Sequence, residues 1–169
     1  SEALILVEEN DLESARAALA RGQEVIDQFQ IKVLDYQVHT LRAMIAEEEG
    51  DFAAAEQHYL AALENMEHSV LAADLSIFVP KTYAQIAMAQ IETGQLATAR
   101  NSIEAGSQVD PSEPLLWVAK ARLQQAQDMP QLALASLGFA LAIWKDADET
   151  YVYAKEAKAL AKQLQSTSV

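Results

Sequence analysis

The side chains able to do chemistry are few and scattered. Three histidines, His39, His58 and His68, are the side chains that titrate near neutrality, and no cysteine is present to act as nucleophile, thiolate ligand or disulfide partner. In the helical register developed below, His39 falls at a packing position, His58 on an outward face and His68 near a helix exit. None is placed to serve a nucleophile as its base. Carboxylates are abundant, and two runs concentrate them: Glu8-Glu9-Asn10-Asp11 and Glu47-Glu48-Glu49-Gly50-Asp51. The second lacks the alternating Asp/Asn ligands and the distant bidentate Glu of a calcium loop. Neither a glycine-rich phosphate loop nor a serine elbow occurs. The expected reading is therefore no enzyme, no metal and no cofactor, with function carried by a binding surface.

Composition narrows the partner. The chain has 169 residues, 51% of them hydrophobic, and a formal charge of −13. The charge is uneven: residues 1–79 hold 16 acids and 4 bases, residues 80–169 hold 9 acids and 8 bases. A field of that sign repels phosphate backbones and anionic lipid, which excludes nucleic acid as the expected partner. No apolar run is long enough to span a bilayer, so membrane insertion is not expected either. The cytoplasm is the favoured compartment, the periplasm its alternative. Abundant Ala, Leu, Gln and Glu with five Gly and four Pro favour helix throughout.

Four segments share one pattern, and it fixes the register. Asn10-Asp11-Leu12, Gly50-Asp51-Phe52, Gly94-Gln95-Leu96 and Asp128-Met129-Pro130 each interrupt two helical patterns. After each turn a small residue, a large apolar one and another small one recur at four-then-three spacing: Ala15/Leu19/Gly22, Ala55/Tyr59/Ala62, Ala99/Ile103/Gly106 and Ala133/Leu137/Ala140. That spacing keeps all three on one helical face, where small residues let two antiparallel helices approach and the large one fills the space between. Helices are expected at about 2–9, 11–28, 32–49, 52–66, 80–93, 96–108, 113–127, 130–144 and 147–164. Asp11, Asp51, Ser112, Asp128 and Asp146 are the candidate N-caps. In the helix before the fourth turn, Lys120 and Gln124 stand where apolar residues are expected.

The pattern resembles the tetratricopeptide repeat family. Gly94 to Asp128 is one 34-residue period, and Tyr83, Ala87, Gly94, Ala99 and Val109-Asp110-Pro111 match its template, as do Trp117, Ala121, Ala133, Leu137 and Ala140. The fourth unit departs from it, with Asp128 at the turn glycine and Lys145 at the exit proline. The earlier spacings, 40 and 44 residues, leave 6 and 10 extra residues to place. The resemblance implies an all-α fold, a right-handed α-α superhelix of antiparallel helix pairs. One domain over 1–169 is expected, with units at about 1–29, 36–69, 80–113 and 114–145, an insertion at 70–79 and a capping helix at about 147–164. The short first helix, Ser1 to Glu9, reads as an excised fragment of a longer, irregular bacterial-type repeat protein.

In that family the first helix of each pair lines the concave surface. Carried over residue by residue, the implied partner-binding groove comprises Gln37, Thr40 and Met44; Lys81, Ala84, Met88 and Ile91; and Leu115, Val118 and Arg122. Leu4, Val7 and Glu8 extend it at the front. Its methionines and aliphatic residues suit a helical or extended peptide segment. Thr40, Met44, Ala84, Met88 and Val118 at the positions of a carboxylate clamp argue against that subgroup's function. The expected role is a protein-interaction scaffold. A small-molecule effector module of a larger regulator and a self-associating homodimer are the alternatives, and contact with the 70–79 insertion is the competing use of the same residues.

Overall fold

A computed structural model describes residues 2–147 and 151–167. Every described element is helical: α1 (Glu2–Glu8), α2 (Leu12–Phe29), α3 (Asp35–Glu48), α4 (Phe52–Glu67), α5 (Ala72–Leu75), α6 (Val79–Glu92), α7 (Leu96–Val109), α8 (Pro114–Ala126), α9 (Pro130–Ile143) and α10 (Val152–Thr167). Single 3₁₀ turns at Lys32–Leu34 and Ser76–Phe78 lead into α3 and α6. The chain divides into two compact units, residues 1–82 and 83–169. Within each, consecutive helices pack as antiparallel pairs: α1 on α2 and α3 on α4 in the first, α8 on α9 in the second. This is the all-α arrangement of helix pairs that the resemblance to tetratricopeptide repeats implies. The 6 and 10 extra residues also find their places. The first set lengthens α2 to 18 residues and adds the turn before α3, while the second forms α5 and the 3₁₀ turn that follows it.

One backbone device makes all four turns. Asn10, Gly50, Gly94 and Asp128 each adopt a left-handed conformation, with φ of 59°, 75°, 76° and 60°. The amide after each reaches back five residues: Asp11 N–H to Leu6 O, Asp51 to Ala46, Gln95 to Gln90 and Met129 to Gln124, all at 2.8–2.9 Å. These bonds satisfy carbonyls that a helix end leaves open, and they reverse the chain within two residues. Asp128 is therefore the left-handed closing residue of α8 and not the N-cap of α9, a place where glycine is the strain-free choice. Asp11 and Asp51 do cap, accepting from Ser14 N–H at 3.1 Å and Ala54 N–H at 3.0 Å. For α8 the cap is Glu113, whose carboxylate accepts from Leu115 N–H; Ser112 is instead held by Asp110.

The small–large–small triplets lie at the helix contacts. Ala55, Tyr59 and Ala62 have no exposure, Ala133, Leu137 and Ala140 have 0–1%, and Ala99 has none. Polar residues in the pairs are explained by one repeated bond. Ser102 Oγ donates to Gln90 Oε1 at 2.8 Å, and 34 residues later Ser136 Oγ donates to Gln124 Oε1 at 2.7 Å. Each bond ties the second helix of a pair to the first. Gln124, at an expected apolar position, is thus half-buried and accepts a hydrogen bond within the pair.

The last helix begins later than expected, at Val152, after Tyr151 stacks edge-on against Trp144 with ring centroids 5.5 Å apart. Asp146, the expected N-cap, is followed by residues 148–150, which lie outside the described residues. Along α10, Ala154, Ala157 and Leu164 are buried, with Tyr153 and Leu160 packed beside them.

Gly106 carries the sharpest packing constraint. A Cβ there would stand 2.9 Å from Tyr83 Cβ and 2.7 Å from Leu116 Cδ2. Gly22, its counterpart in the first unit, has nothing within 4 Å. Gly106→Ala is therefore expected to destabilise by about 1–3 kcal/mol through overpacking. Gly22→Ala should be neutral or stabilise by up to about 1 kcal/mol through helix propensity. Urea unfolding of both variants checks the pair.

Candidate functional site

The expected groove divides by unit. On α3, Gln37, Thr40 and Met44 share one face; Gln37 is exposed and the other two are half-buried. Thr40 Oγ1 donates to Tyr36 O at 2.8 Å, which fixes its hydroxyl and presents its methyl. Met44 borders the core cluster of α1, α2 and α3. Glu47, on the same face, accepts from Tyr59 Oη at 2.7 Å and so buttresses the α3–α4 pair. Leu4 is half-buried and Glu8 exposed, whereas Val7 is core at 4% exposure. Lys81, in the first turn of α6, is half-buried.

In the second unit the corresponding face is closed. Ala84, Met88, Leu115 and Val118 are 0%, 9%, 2% and 2% exposed and belong to one core cluster with Ala154, Ala157 and Leu164 of α10. Their apolar character, read from the sequence as available to a partner, serves internal packing. Tyr153 and Glu156, one turn apart on α10, reach the first helices of both pairs. Tyr153 Oη accepts from Gln85 Nε2 of α6 at 3.3 Å. Glu156 stands 3.5 Å from Arg122 Nη2 of α8, and Arg122 Nη1 lies 3.6 Å from Glu92 of α6. Arg122 is thus a bridge between two carboxylates, its Nε buried without a hydrogen-bond partner. These pairs are half exposed, so each contributes on the order of 0–1 kcal/mol and the apolar contacts do most of the holding. A shallow cavity of approximately 590 Å3 remains beside Ile91, Arg122 and Leu160.

The histidines do not assemble a reaction centre. His39 and His58 face each other with ring centroids 5.7 Å apart. Burial, and then the nearby Arg42 guanidinium, hold both below the ordinary imidazole value. His39 also feels a further lowering from His58 and an opposing pull from Asp35. Its Nδ1 is buried without a partner. His68 Nδ1 lies 2.9 Å from Glu64 O, at the end of its own helix. Among the described residues, no three His, Asp or Glu side chains come together to hold a metal ion.

Comparison with known proteins identifies one repeat. Residues 36–65, which span α3 and most of α4, match the tetratricopeptide repeat. This segment is a tetratricopeptide repeat. The match supports assignment of the chain to that family, whose repeats are protein-interaction modules and whose fold is typically a non-catalytic scaffold. No curated protein matches the chain. No helix among the described residues is long and apolar enough to cross a membrane.

A capping helix is expected at the end of the chain, but its link to α6 has no local mark in the sequence. Gln85 and Tyr153 are 68 residues apart, and no local pattern links them.

The histidine pair generates a pH prediction. A neutral imidazole is favoured in the folded state, so the unfolded chain binds more protons once the pH falls below about 6.5. The pair's contribution is complete above that value and is lost as pH falls toward the depressed folded values. Urea midpoints should decrease between pH 7 and pH 5, and the His39→Gln/His58→Gln double variant should show a shallower decrease. An identical slope in both proteins would contradict the assignment.

Proposed function

We propose that the chain is a non-catalytic scaffold that binds a helical or extended segment of another protein on the first-helix face of its repeats, principally through Gln37, Thr40 and Met44. The observation that carries this reading is the contrast between units. Within the matched repeat these three residues keep solvent exposure, while α10 packs with the equivalent face of the second unit. An accessible methionine flanked by an amide and a threonine methyl suits an apolar side chain bordered by backbone hydrogen bonds. Of the remaining expected contacts, Lys81, Ile91 and Arg122 are partly accessible. Ala84, Met88, Leu115 and Val118 belong to the core of the second unit.

The test is affinity capture by the full chain beside a Gln37→Glu/Thr40→Arg double variant. Both substitutions fall on exposed or half-buried positions, and matched melting curves establish that the fold is kept. Proteins retained by the wild type and lost with the variant are the expected result. An unchanged set of retained proteins would overturn the placement of the site.

A further inference from the structure

The two units carry equivalent grooves on their outer side, where second helices flank a first helix. In the first unit the groove is lined by α2, α3 and α4 and measures approximately 370 Å3; in the second it is lined by α7 and α8 up to Met129 and measures approximately 700 Å3. Aligning the four turns superimposes most of the lining. Arg16 corresponds to Arg100, and Arg42 to Lys120, so four of the chain's twelve basic residues stand in these two grooves.

The grooves differ in what neutralises those cations. In the first, Glu49 is ion-paired with Arg16, and Asp51 lines the same wall. In the second, the corresponding residues are the neutral Gln127 and Met129. Neither Arg100 nor Lys120 forms an ion pair with a carboxylate of the described residues. Glu104 also lines this groove, so two cations face one acid there, against two cations and two acids in the first unit. In a chain of net charge −13, this concave surface has a positive surplus.

An aromatic floor accompanies the charge. Trp117 is held by its Nε1–H to Pro111 O at 3.2 Å, packs on Phe139 at 4.7 Å between centroids, and carries Lys120 Nζ 4.8 Å above its ring. Met129, Leu132 and Phe139 continue the apolar surface outward at 45–56% exposure. A large apolar patch with a fixed indole and convergent cations is a recognition surface for a group that is both apolar and anionic. The α7 wall from Arg100 to Gln108 is about 12 Å long at 1.5 Å per residue, which matches about four residues of extended chain. The groove is open along that length, which favours a peptide over an enclosed small molecule.

We propose that the α7–α8 groove of the second unit is a separate docking site for an extended peptide segment in which a carboxylate neighbours an aromatic or leucine side chain. The carboxylate meets Arg100 and Lys120, and the apolar side chain lies against Trp117 and Met129. The site is independent of the α3 face.

The experiment is fluorescence anisotropy of the full chain with a labelled peptide containing Asp-Phe-Asp-Leu between Gly-Ser flanks, beside a version with Lys in place of Asp, and with 4-phenylbutyrate as competitor. The acidic peptide should bind saturably and the Lys version should not. Arg100→Glu and Lys120→Glu, both at exposed positions, should each weaken binding by roughly tenfold or more. Gln127→Glu, which restores the acid found in the first unit, should weaken it as well, and Met44→Glu should leave it unchanged. Absence of saturable binding, retention of affinity in Arg100→Glu, or displacement by 4-phenylbutyrate at concentrations equal to the peptide's would each overturn the proposal. Loss of binding in Met44→Glu alone would assign the peptide to the α3 face instead. That outcome sinks this site and leaves the scaffold reading standing.

Discussion

Two antiparallel backbones can approach closely only where side chains are small, and the pairing of helices in this chain depends on that contact. At Ala55 and Ala62, Ala99 and Gly106, and Ala133 and Ala140, one helix presents small residues to its partner, with Tyr59, Ile103 or Leu137 between them. Gly106 shows how little tolerance exists, since even a methyl group would meet the Cβ of Tyr83. Close packing of this kind gains dispersion contacts along the whole pair, and it forces each turn to reverse direction within two residues. The left-handed residue at each turn follows from the same requirement. So do the Gln–Ser bonds, one buried and one partly buried, which pair polar groups that close approach takes from water.

A repeat that packs this way leaves two surfaces for use, and the chain treats them differently in its two units. On the first-helix side, α3 keeps Gln37, Thr40 and Met44 accessible, whereas α10 draws Leu115 and Val118 into a core. On the outer side, the first unit neutralises Arg16 with Glu49, whereas the second leaves Arg100 and Lys120 beside an indole. Each unit therefore retains one unsatisfied surface, and the two differ in chemistry: one mildly apolar and polar, the other cationic and aromatic.

Much of this was legible in the sequence because turns and helix contacts leave local marks. Asn10, Gly50, Gly94 and Asp128 and the triplets that follow them share one spacing, which implies the helices and their pairing. Asp128 closes α8 instead of capping α9 because Asp suits both an N-cap and a left-handed position, and only the backbone distinguishes them. The closed face of the second unit was not legible for a different reason. An apolar residue such as Val118 looks the same in sequence whether its cover is a foreign peptide or the chain's own last helix. The link from Gln85 to Tyr153 has no local signature at all. The outer grooves left a sequence mark, the equivalence of Arg16 with Arg100 and of Arg42 with Lys120, but their meaning depends on the loss of Glu49 and Asp51 at Gln127 and Met129.

The most direct test of the contrast between units uses the absence of native cysteine. Single replacements Gln37→Cys and Val118→Cys in the full chain, each reacted with a maleimide under native conditions, report accessibility of the two equivalent faces. Gln37→Cys should react as fast as the unfolded protein. Val118→Cys should be protected by roughly tenfold or more, because its modification requires α10 or the surrounding core to open. Equal reactivity at the two sites would contradict the account, since it would mean that α10 does not close the face of the second unit.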